Sequence, residues 1–456
     1  MRIPLIVILG KAIQLIFNKS NLSGGSALPG LIAEKIDGEA LGKLSKRLDK
    51  VILITGTNGK TTTTKMLVEI LKAGGHSVIT NGSGSNLTRG LISALIRESN
   101  LLGRLRAKTA VLEVDEASMP EAVRLTNPSV ILVTNLFRDQ LDRYGELDKT
   151  AVILQKAIKN SRAKVILNAD DPLVSILTTG YEDNSVIFYG VTEPKLHHED
   201  DQLTASDSRN CLVCGHVLNF EIKYFGHIGK FSCPNCEFRR PELDYEATTV
   251  ALEGLKGSTF SVSGIDSLKI GLPGLYNVYN SLAALAVAAE LGVDSDTVTK
   301  SLKTFTAAFG RIEQVKIKSR NLFLLLIKNP TGFNQVIQTF LTEKTKHNVL
   351  IAINDNFADG QDVSWLWDVE FESLVANSKD ITVTGKRSGD MALRLKYAGC
   401  EESRITEIEN LEQAATHAIN TTPEKETLMI MPTYTAMLSL RKILQSKTDI
   451  QGFWVE

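Results

Sequence analysis

The chain has 456 residues, a formal net charge of −1 and an apolar fraction of 43%. Those values exclude a disordered chain, and the near-zero charge gives no global field that would gather nucleic acid, although local basic surfaces stay open. The length allows roughly three domains, and five cysteines, four of them in two CxxC pairs, suit metal binding in a reducing compartment better than a disulfide framework.

The first element, Ile3 to Phe17, is strongly apolar, with Arg2 before it, Lys11 inside it and Lys19 after it. It is short and interrupted for a membrane span. A helix packed against the body is expected. A peripheral contact with a membrane or a partner is one alternative, and a signal peptide ending near Ser23-Gly24-Gly25-Ser26-Ala27 is another.

Val51 to Ile54 then forms a short buried strand that enters Thr55-Gly56-Thr57-Asn58-Gly59-Lys60-Thr61-Thr62, and a helix is expected from Lys65 to Ala73, stopped by Gly74-Gly75. Strand, glycine loop and helix make a phosphate-binding arrangement. Glycines let backbone N–H groups of Gly56, Thr57, Asn58 and Gly59 face phosphate, and the helix N-terminus adds its positive end. Lys60 can reach the terminal phosphates, and a threonine hydroxyl, best Thr61, can ligate magnesium. The strict Walker spacing needs glycine where Ile54 stands, so this is a variant loop. Further short strands follow at Ala110–Val114, Val130–Thr134, Val165–Asn168 and Val186–Tyr189, the pattern of a parallel α/β sheet.

The alternation breaks near Lys195. Cys211-x2-Cys214, eighteen residues, then Cys233-x2-Cys236 fits a zinc ribbon inserted at about residues 205–240, and four thiolates leave no open position, so the metal is structural. His216 and His227 read as surface histidines, and Cys400 as a core residue. Arg209, Lys223, Lys230, Arg239 and Arg240 keep a nucleic-acid-binding ribbon as a rival, diluted by acidic neighbours. An alanine-rich helix runs from Val278 to Leu291, and a boundary follows near Gly310-Arg311. Strands at Leu322–Ile327, Val349–Ile353, Ile381–Val383 and Leu428–Met431 indicate a second, smaller Rossmann-like α/β domain. The expected division is 1–45, 46–311 and 312–456.

The variant loop resembles that of the Mur ligases and folylpolyglutamate synthetases, which phosphorylate a carboxylate with ATP and let an amine attack the acyl phosphate. Later segments agree. Leu112-Glu113-Val114 matches the family's magnesium-holding glutamate, Asn81 to Asn86 its substrate-side loop, and Asn168-Ala169-Asp170-Asp171-Pro172 its Asn-Ala-Asp-Asp-Pro turn. Gly274-Leu275-Tyr276-Asn277-Val278-Tyr279-Asn280 is similar to Gly-x-His-Asn-x-x-Asn, with Tyr276 in place of histidine. Arg311 falls where the family arginine meets ATP. The resemblance thus implies Lys60 and Glu113 as catalytic residues, Asn277 and Arg311 as nucleotide ligands, and magnesium between Thr61 and Glu113.

Two departures narrow it. One is the cysteine insert. The other is the C-terminal turn Lys328-Asn329-Pro330-Thr331-Gly332, which lacks the aspartate and histidine that ordinary Mur ligases carry there; Lys328 takes over part of the role. With Asn354-Asp355-Asn356-Phe357-Ala358-Asp359-Gly360-Gln361-Asp362-Val363-Ser364-Trp365, the chain resembles the MurT family of synthetase subunits. This implies amidation of the D-glutamate of lipid II at the inner membrane face, with ammonia from a GatD-like glutaminase in a heterodimer. It also implies an acidic residue lent to the glutaminase, Asp355 first, with Asp359, Asp362 and Asp368 as competitors. Trp365 and Trp367 are candidates for docking or for core. A stand-alone amino-acid ligase is the alternative activity.

Overall fold

The computed structural model describes residues 2–20, 27–81, 85–139, 147–179, 185–197, 207–305, 312–317, 319–341 and 346–446. The larger sheet is built from β1 (Lys50–Thr55), β2 (Val78–Thr80), β3 (Thr109–Glu113), β4 (Val130–Val133), β5 (Lys164–Asn168), β6 (Val186–Val191), β9 (Tyr245–Leu252), β10 (Ser258–Val262) and β11 (Ile265–Ile270). Between β6 and β9 the two-stranded hairpin β7 (Asn219–Phe225) and β8 (Ile228–Ser232) stands apart. The strand order is β11-β10-β9-β6-β5-β4-β1-β3-β2, parallel from β2 to β9 and closed at one edge by the antiparallel β9-β10-β11 meander.

β1 lies between β3 and β4, so its far end opens at a point where the chain leaves in opposite directions on either side. That is where open α/β sheets place ligands. Both faces are covered, which explains why the central strands read as unbroken apolar runs: Ile52, Leu53 and Ile54 are fully buried.

Five helices flank the start of this sheet: α1 (Arg2–Ser20), α2 (Leu28–Ile36), α3 (Ala40–Ser45), α4 (Lys60–Ala73) and α5 (Thr88–Glu98). α4 begins at Lys60, five residues before the expected start. Four successive threonines lower helix propensity, but Thr62, Thr63 and Thr64 are buried and packing decides. α1 is a helix lying on α2 and α5, with Ile3, Ile6 and Val7 in the same core as Leu91, Leu95 and Ile96.

The smaller sheet runs β12 (Ile312–Ile317), β13 (Arg320–Leu325), β17 (Thr427–Pro432), β14 (His347–Ala352), β15 (Ser378–Thr384) and β16 (Ile405–Glu407), in that spatial order. Only the edge hairpin β12-β13 is antiparallel. Two separate apolar layers, around Phe333 and Leu366 on one face and Leu440 and Ala418 on the other, give this sheet its own core. Cys400 lies in the first of them, buried, and burial raises its thiol pKa.

Candidate active site at the cleft between the two sheets

At the end of β1 the backbone turns through Gly56 (φ 121°) and Gly59 (φ 86°). Both angles favour glycine. Space demands it too, since a Cβ on Gly59 would stand 2.1 Å from Asn280 Oδ1. The loop is held from β4 and the residues after it. Asn58 N donates to Asn135 Oδ1 (2.9 Å), while Thr134 Oγ1 and Asn135 Nδ2 donate to Asn58 O (2.8 and 3.1 Å).

Lys60 follows as the first residue of α4, buried. Its ammonium donates to Gly56 O and Thr57 O and pairs with Glu116 at 3.1 Å. Burial alone would lower its pKa, but the carboxylates of Glu116, Glu113 and Asp115 outweigh that and hold it above the usual value. Glu116 moves the other way, since burial and Asp115 raise its carboxyl against the pull of Lys60. Lys60 is thus the charged centre of the group, one ammonium among three carboxyl groups.

Thr61 Oγ1 donates to Glu113 Oε2 at 2.8 Å, which brings the two predicted magnesium ligands to one point at the end of β3. Glu113 is fixed from behind: its backbone N donates to Asn81 Oδ1, and Asn81 Nδ2 donates back to Glu113 O, each at 2.8 Å. A hydroxyl and a carboxylate side by side beneath a phosphate loop form the oxygen-rich donor set that magnesium takes. Glu116 and Asn135 escaped the sequence reading. Glu116 left a weak signal, an acid three residues after Glu113 just past a strand end; Asn135 left none.

The rest of the cleft lies between the two sheets. Asn280 Nδ2 donates to Asn277 Oδ1 (3.1 Å) and Asn277 Nδ2 to Pro273 O (2.8 Å), so the predicted nucleotide ligand Asn277 is held in place, and Tyr276 lines the same space. Thr62 lines it as well. Across from them stand Leu326, Lys328, Asn329 and Gln335 of the smaller sheet. Asn329 caps the helix Pro330–Phe340 and donates Nδ2 to Asn58 Oδ1 at 3.1 Å, while Lys328 pairs with Asp139. Gly310 and Arg311 lie outside the described residues, as do Gly82, Ser83 and Gly84.

The third wall comes from the cysteine insert. Phe225 and Ile228, at the turn joining β7 to β8, line the cleft. His227, between them, is not the surface histidine its neighbourhood suggested. It is fully buried, its ring 4.6 Å from that of Phe137 and its Nε2 3.3 Å from Asp171 Oδ1. The hairpin tip folds under the sheet edge, so a polar sequence context misled the reading. His216 is exposed. Arg240 also turns inward, Nε 2.8 Å from Asp170 Oδ1, and Tyr279 donates to Asp170 Oδ2 at 2.5 Å. Burial nevertheless pushes the Asp170 carboxyl up to about 6. Lys230 pairs with Glu221, so two of the five basic residues near the cysteines are spent within the fold.

At the other end of the hairpin, Cys211, Cys214, Cys233 and Cys236 bring their sulfurs within 4.8 Å of one another. Cys211 and Cys236 are 3.5 Å apart and Cys214 and Cys233 3.4 Å, close to the edge of about 3.8 Å of a tetrahedron with 2.3 Å metal–sulfur bonds. Val213 N and Asn235 N donate to the first sulfur of each pair at 3.4 Å. The backbone N–H of His216, ahead of other contacts, draws the Cys214 thiol down to about 6. The set fits a four-sulfur metal site.

Beyond β14, Asp355 accepts from Arg387 Nε and Nη2, both at 2.8 Å. Its competitors have partners as well. Asp359 is buried and accepts from Thr435 N and Oγ1 (2.7 and 2.6 Å), and Asp362 accepts from Ser364 N within its own turn. Asp368 faces Arg138 at 3.5 Å. Phe357 is 71% exposed. Trp365 packs on Phe333, whereas Trp367 is half-exposed against Tyr397.

A variant phosphate loop on the larger sheet, facing a smaller Rossmann-like sheet across a cleft, defines a Mur-type ligase, a fold that implies the use of ATP and magnesium. Residues 54–237 match the Mur ligase middle domain and residues 326–437 the MurT ligase C-terminal family. The chain is similar to a pseudomurein peptide ligase type C from Methanothermus fervidus (TM-score 0.67, 24% identity, 88% of this chain and 79% of that one). It is also similar to the MurF ligase of Thermotoga maritima in complex with ADP (TM-score 0.60, 16% identity, 90% and 83%). Against the lipid II isoglutaminyl synthase (glutamine-hydrolyzing) subunit MurT of Staphylococcus aureus strain N315 it is 35% identical over 91% of both chains. Against that of Streptococcus pneumoniae the identity is 35% over 95% of this chain and 96% of the relative. The chain belongs to the MurT family.

Proposed function

We propose that this chain is the synthetase subunit of a lipid II isoglutaminyl synthase, amidating the α-carboxylate of the stem D-glutamate to D-isoglutamine. One observation carries the reading: Lys60, Thr61 and Glu113 converge at the phosphate end of a cleft in a chain of the MurT family. A carboxylate is a poor electrophile. Its oxygen attacks the γ-phosphorus of ATP, the bond to ADP breaks, and an acyl phosphate forms. Ammonia adds its lone pair to the acyl carbon, phosphate leaves with the C–O electrons, and the nitrogen sheds one proton to solvent.

In this account Lys60 exchanges its contacts with Gly56 O and Thr57 O for phosphate oxygens, and the N–H groups of Gly56 to Thr62 cradle the chain of phosphates. Magnesium held by Thr61 and Glu113 would neutralise charge on the transferred phosphoryl group. Asn277 and Tyr276 hold the base, with Arg311 as a further nucleotide ligand. The four cysteines hold zinc in a structural role. Residues 1–45, 46–311 and 312–456 act as lead-in, ATP-binding domain and closing domain; the two separate sheets support the second boundary.

Ammonia comes from a GatD-like glutaminase subunit in a heterodimer. Asp355, set at a strand end beside the exposed Phe357, is the residue lent to its histidine, and Arg387 fixes the carboxylate's orientation. The reaction takes place on the cytoplasmic side, where the inner membrane face presents lipid II. Mass spectrometry of lipid II incubated with the chain, a GatD-like glutaminase, glutamine and Mg-ATP should show the hydroxyl of glutamate replaced by an amine. No conversion, with ammonium salt failing to restore it, sinks the reading.

A further inference from the structure

α1 is apolar on two sides. Ile3, Ile6, Val7 and Gly10 face the body. The opposite stripe, where a surface helix carries charge, is Leu5, Ile8, Leu9, Ala12 and Leu15, with Leu5 53% and Leu15 64% exposed. The spacing of three and four residues puts this stripe on one line. A loop extends it. Gly103 packs so closely that an added Cβ would lie 2.5 Å from Ile3 Cγ2, and the loop's Leu101 and Leu102 are 58% and 57% exposed.

The rim of this patch is basic. Lys46, Arg47, Arg97, Arg104, Arg106 and Lys108 are exposed on the segments that pack beside α1. Arg47 Nη1 donates to Leu102 O at 3.1 Å and Lys11 Nζ to Arg97 O at 2.9 Å, which ties rim and helix together. Of the acids on the segments beside α1, Asp49 and Glu98 pair with members of the rim, Asp37 pairs with Lys43, Glu39 with Arg124, and Glu34 is half-buried on α2. Over residues 28–50 and 97–108, nine lysines and arginines against five acids leave a surplus of four in a chain whose total is −1.

We infer that this face lies on an anionic lipid surface, with the stripe of α1 and Leu101-Leu102 entering the headgroup boundary and the arginines meeting lipid phosphates. No described helix is long and apolar enough to cross a membrane, so the geometry is that of a helix lying in the interface. A second copy seated on the same patch would bring two basic rims together, which charge disfavours. The inference rests on the proposal that the substrate is carried on a lipid. It also places the site: α5, against which α1 packs, begins at Thr88, just after Asn86, whose carbonyl accepts from Asp115 N near the phosphate loop. An eleven-residue helix is about 16 Å long, so surface and site are one helix apart.

Flotation of the full chain with vesicles that contain neither lipid II nor nucleotide tests this. Vesicles of equal phosphatidylglycerol and phosphatidylcholine should carry the chain, pure phosphatidylcholine far less, and added salt should release it. Leu5→Gln/Leu9→Gln/Leu102→Gln should weaken binding roughly tenfold through lost apolar insertion, and Arg104→Glu/Arg106→Glu by a similar factor through lost attraction. Both variants keep the wild-type melting temperature, since the altered side chains point outward. Wild-type protein that stays with the lipid-free fraction overturns the inference, as does binding at the wild-type level by both variants. A dimer in light scattering that the leucine variant dissolves assigns the face to a second copy and overturns it too. Sound flotation with no amidation of lipid II would instead remove the functional reading alone.

Discussion

The ends of β1 and β14 are equivalent places on two similar sheets, and they are furnished differently. At β1 the polar atoms answer one another within the chain: Lys60 to Glu116, Thr61 to Glu113, Asn58 to Asn135. At β14 the loop is anchored through Asp359 to the distant Thr435, Asp355 is paired with Arg387, and Phe357 stands exposed. Buried, mutually satisfied groups are prepared to act without help. An anchored loop that presents a carboxylate beside an exposed aromatic is prepared for completion by another surface.

The sharpest way to break this contrast is Asp355→Asn. Glutamine-driven amidation should fall by about 10³-fold or more, as when a catalytic histidine loses its carboxylate, while ammonia-driven amidation stays within about twofold of wild type. Equal loss of both would move Asp355 into the phosphoryl chemistry and erase the division. Lys60→Ala is the reciprocal test. Removing a charge aimed at the transferred phosphoryl group should cost roughly 10²–10³-fold with either nitrogen source, measured as lipid II-dependent ADP release.

Much of the first end was legible because its chemistry is local. Glycines, lysine and threonine sit in one stretch, and apolar runs announce the strands. The second end was legible only as a choice among Asp355, Asp359, Asp362 and Asp368. In the structure Asp355 meets Arg387, Asp359 Thr435, Asp362 Ser364 and Asp368 Arg138, and Thr435 and Arg138 lie far off in sequence. The inward turn of His227 and Arg240 was hidden for the same reason, since each meets an acid more than fifty residues away. The early start of α4 was missed because threonine disfavours helix until burial compensates.

A gentler test concerns the hairpin between the cysteines and the cleft. Because Phe225 and Ile228 wall the cleft, chelating the proposed zinc should loosen that wall and weaken ATP binding by roughly tenfold, as read by calorimetry. Phe225→Ala, with the metal in place, should reproduce part of the loss. Unchanged affinity after verified metal removal would separate the ribbon from the cleft.

The bond from Asn329 to Asn58 reaches across that cleft into the phosphate loop. If Asn58 touches phosphate as proposed, filling the loop competes with this grip of the smaller domain. Nucleotide affinity and closure are then reciprocal: whatever ATP does to the angle between the sheets, that angle does to ATP. Asp355 rides on the same rigid sheet as Asn329. On the proposed roles of Asn58 and Asp355, a filled phosphate loop would be felt on the side of the smaller sheet that faces the ammonia source, so that an amide donor would be spent only once a phosphate is ready to leave.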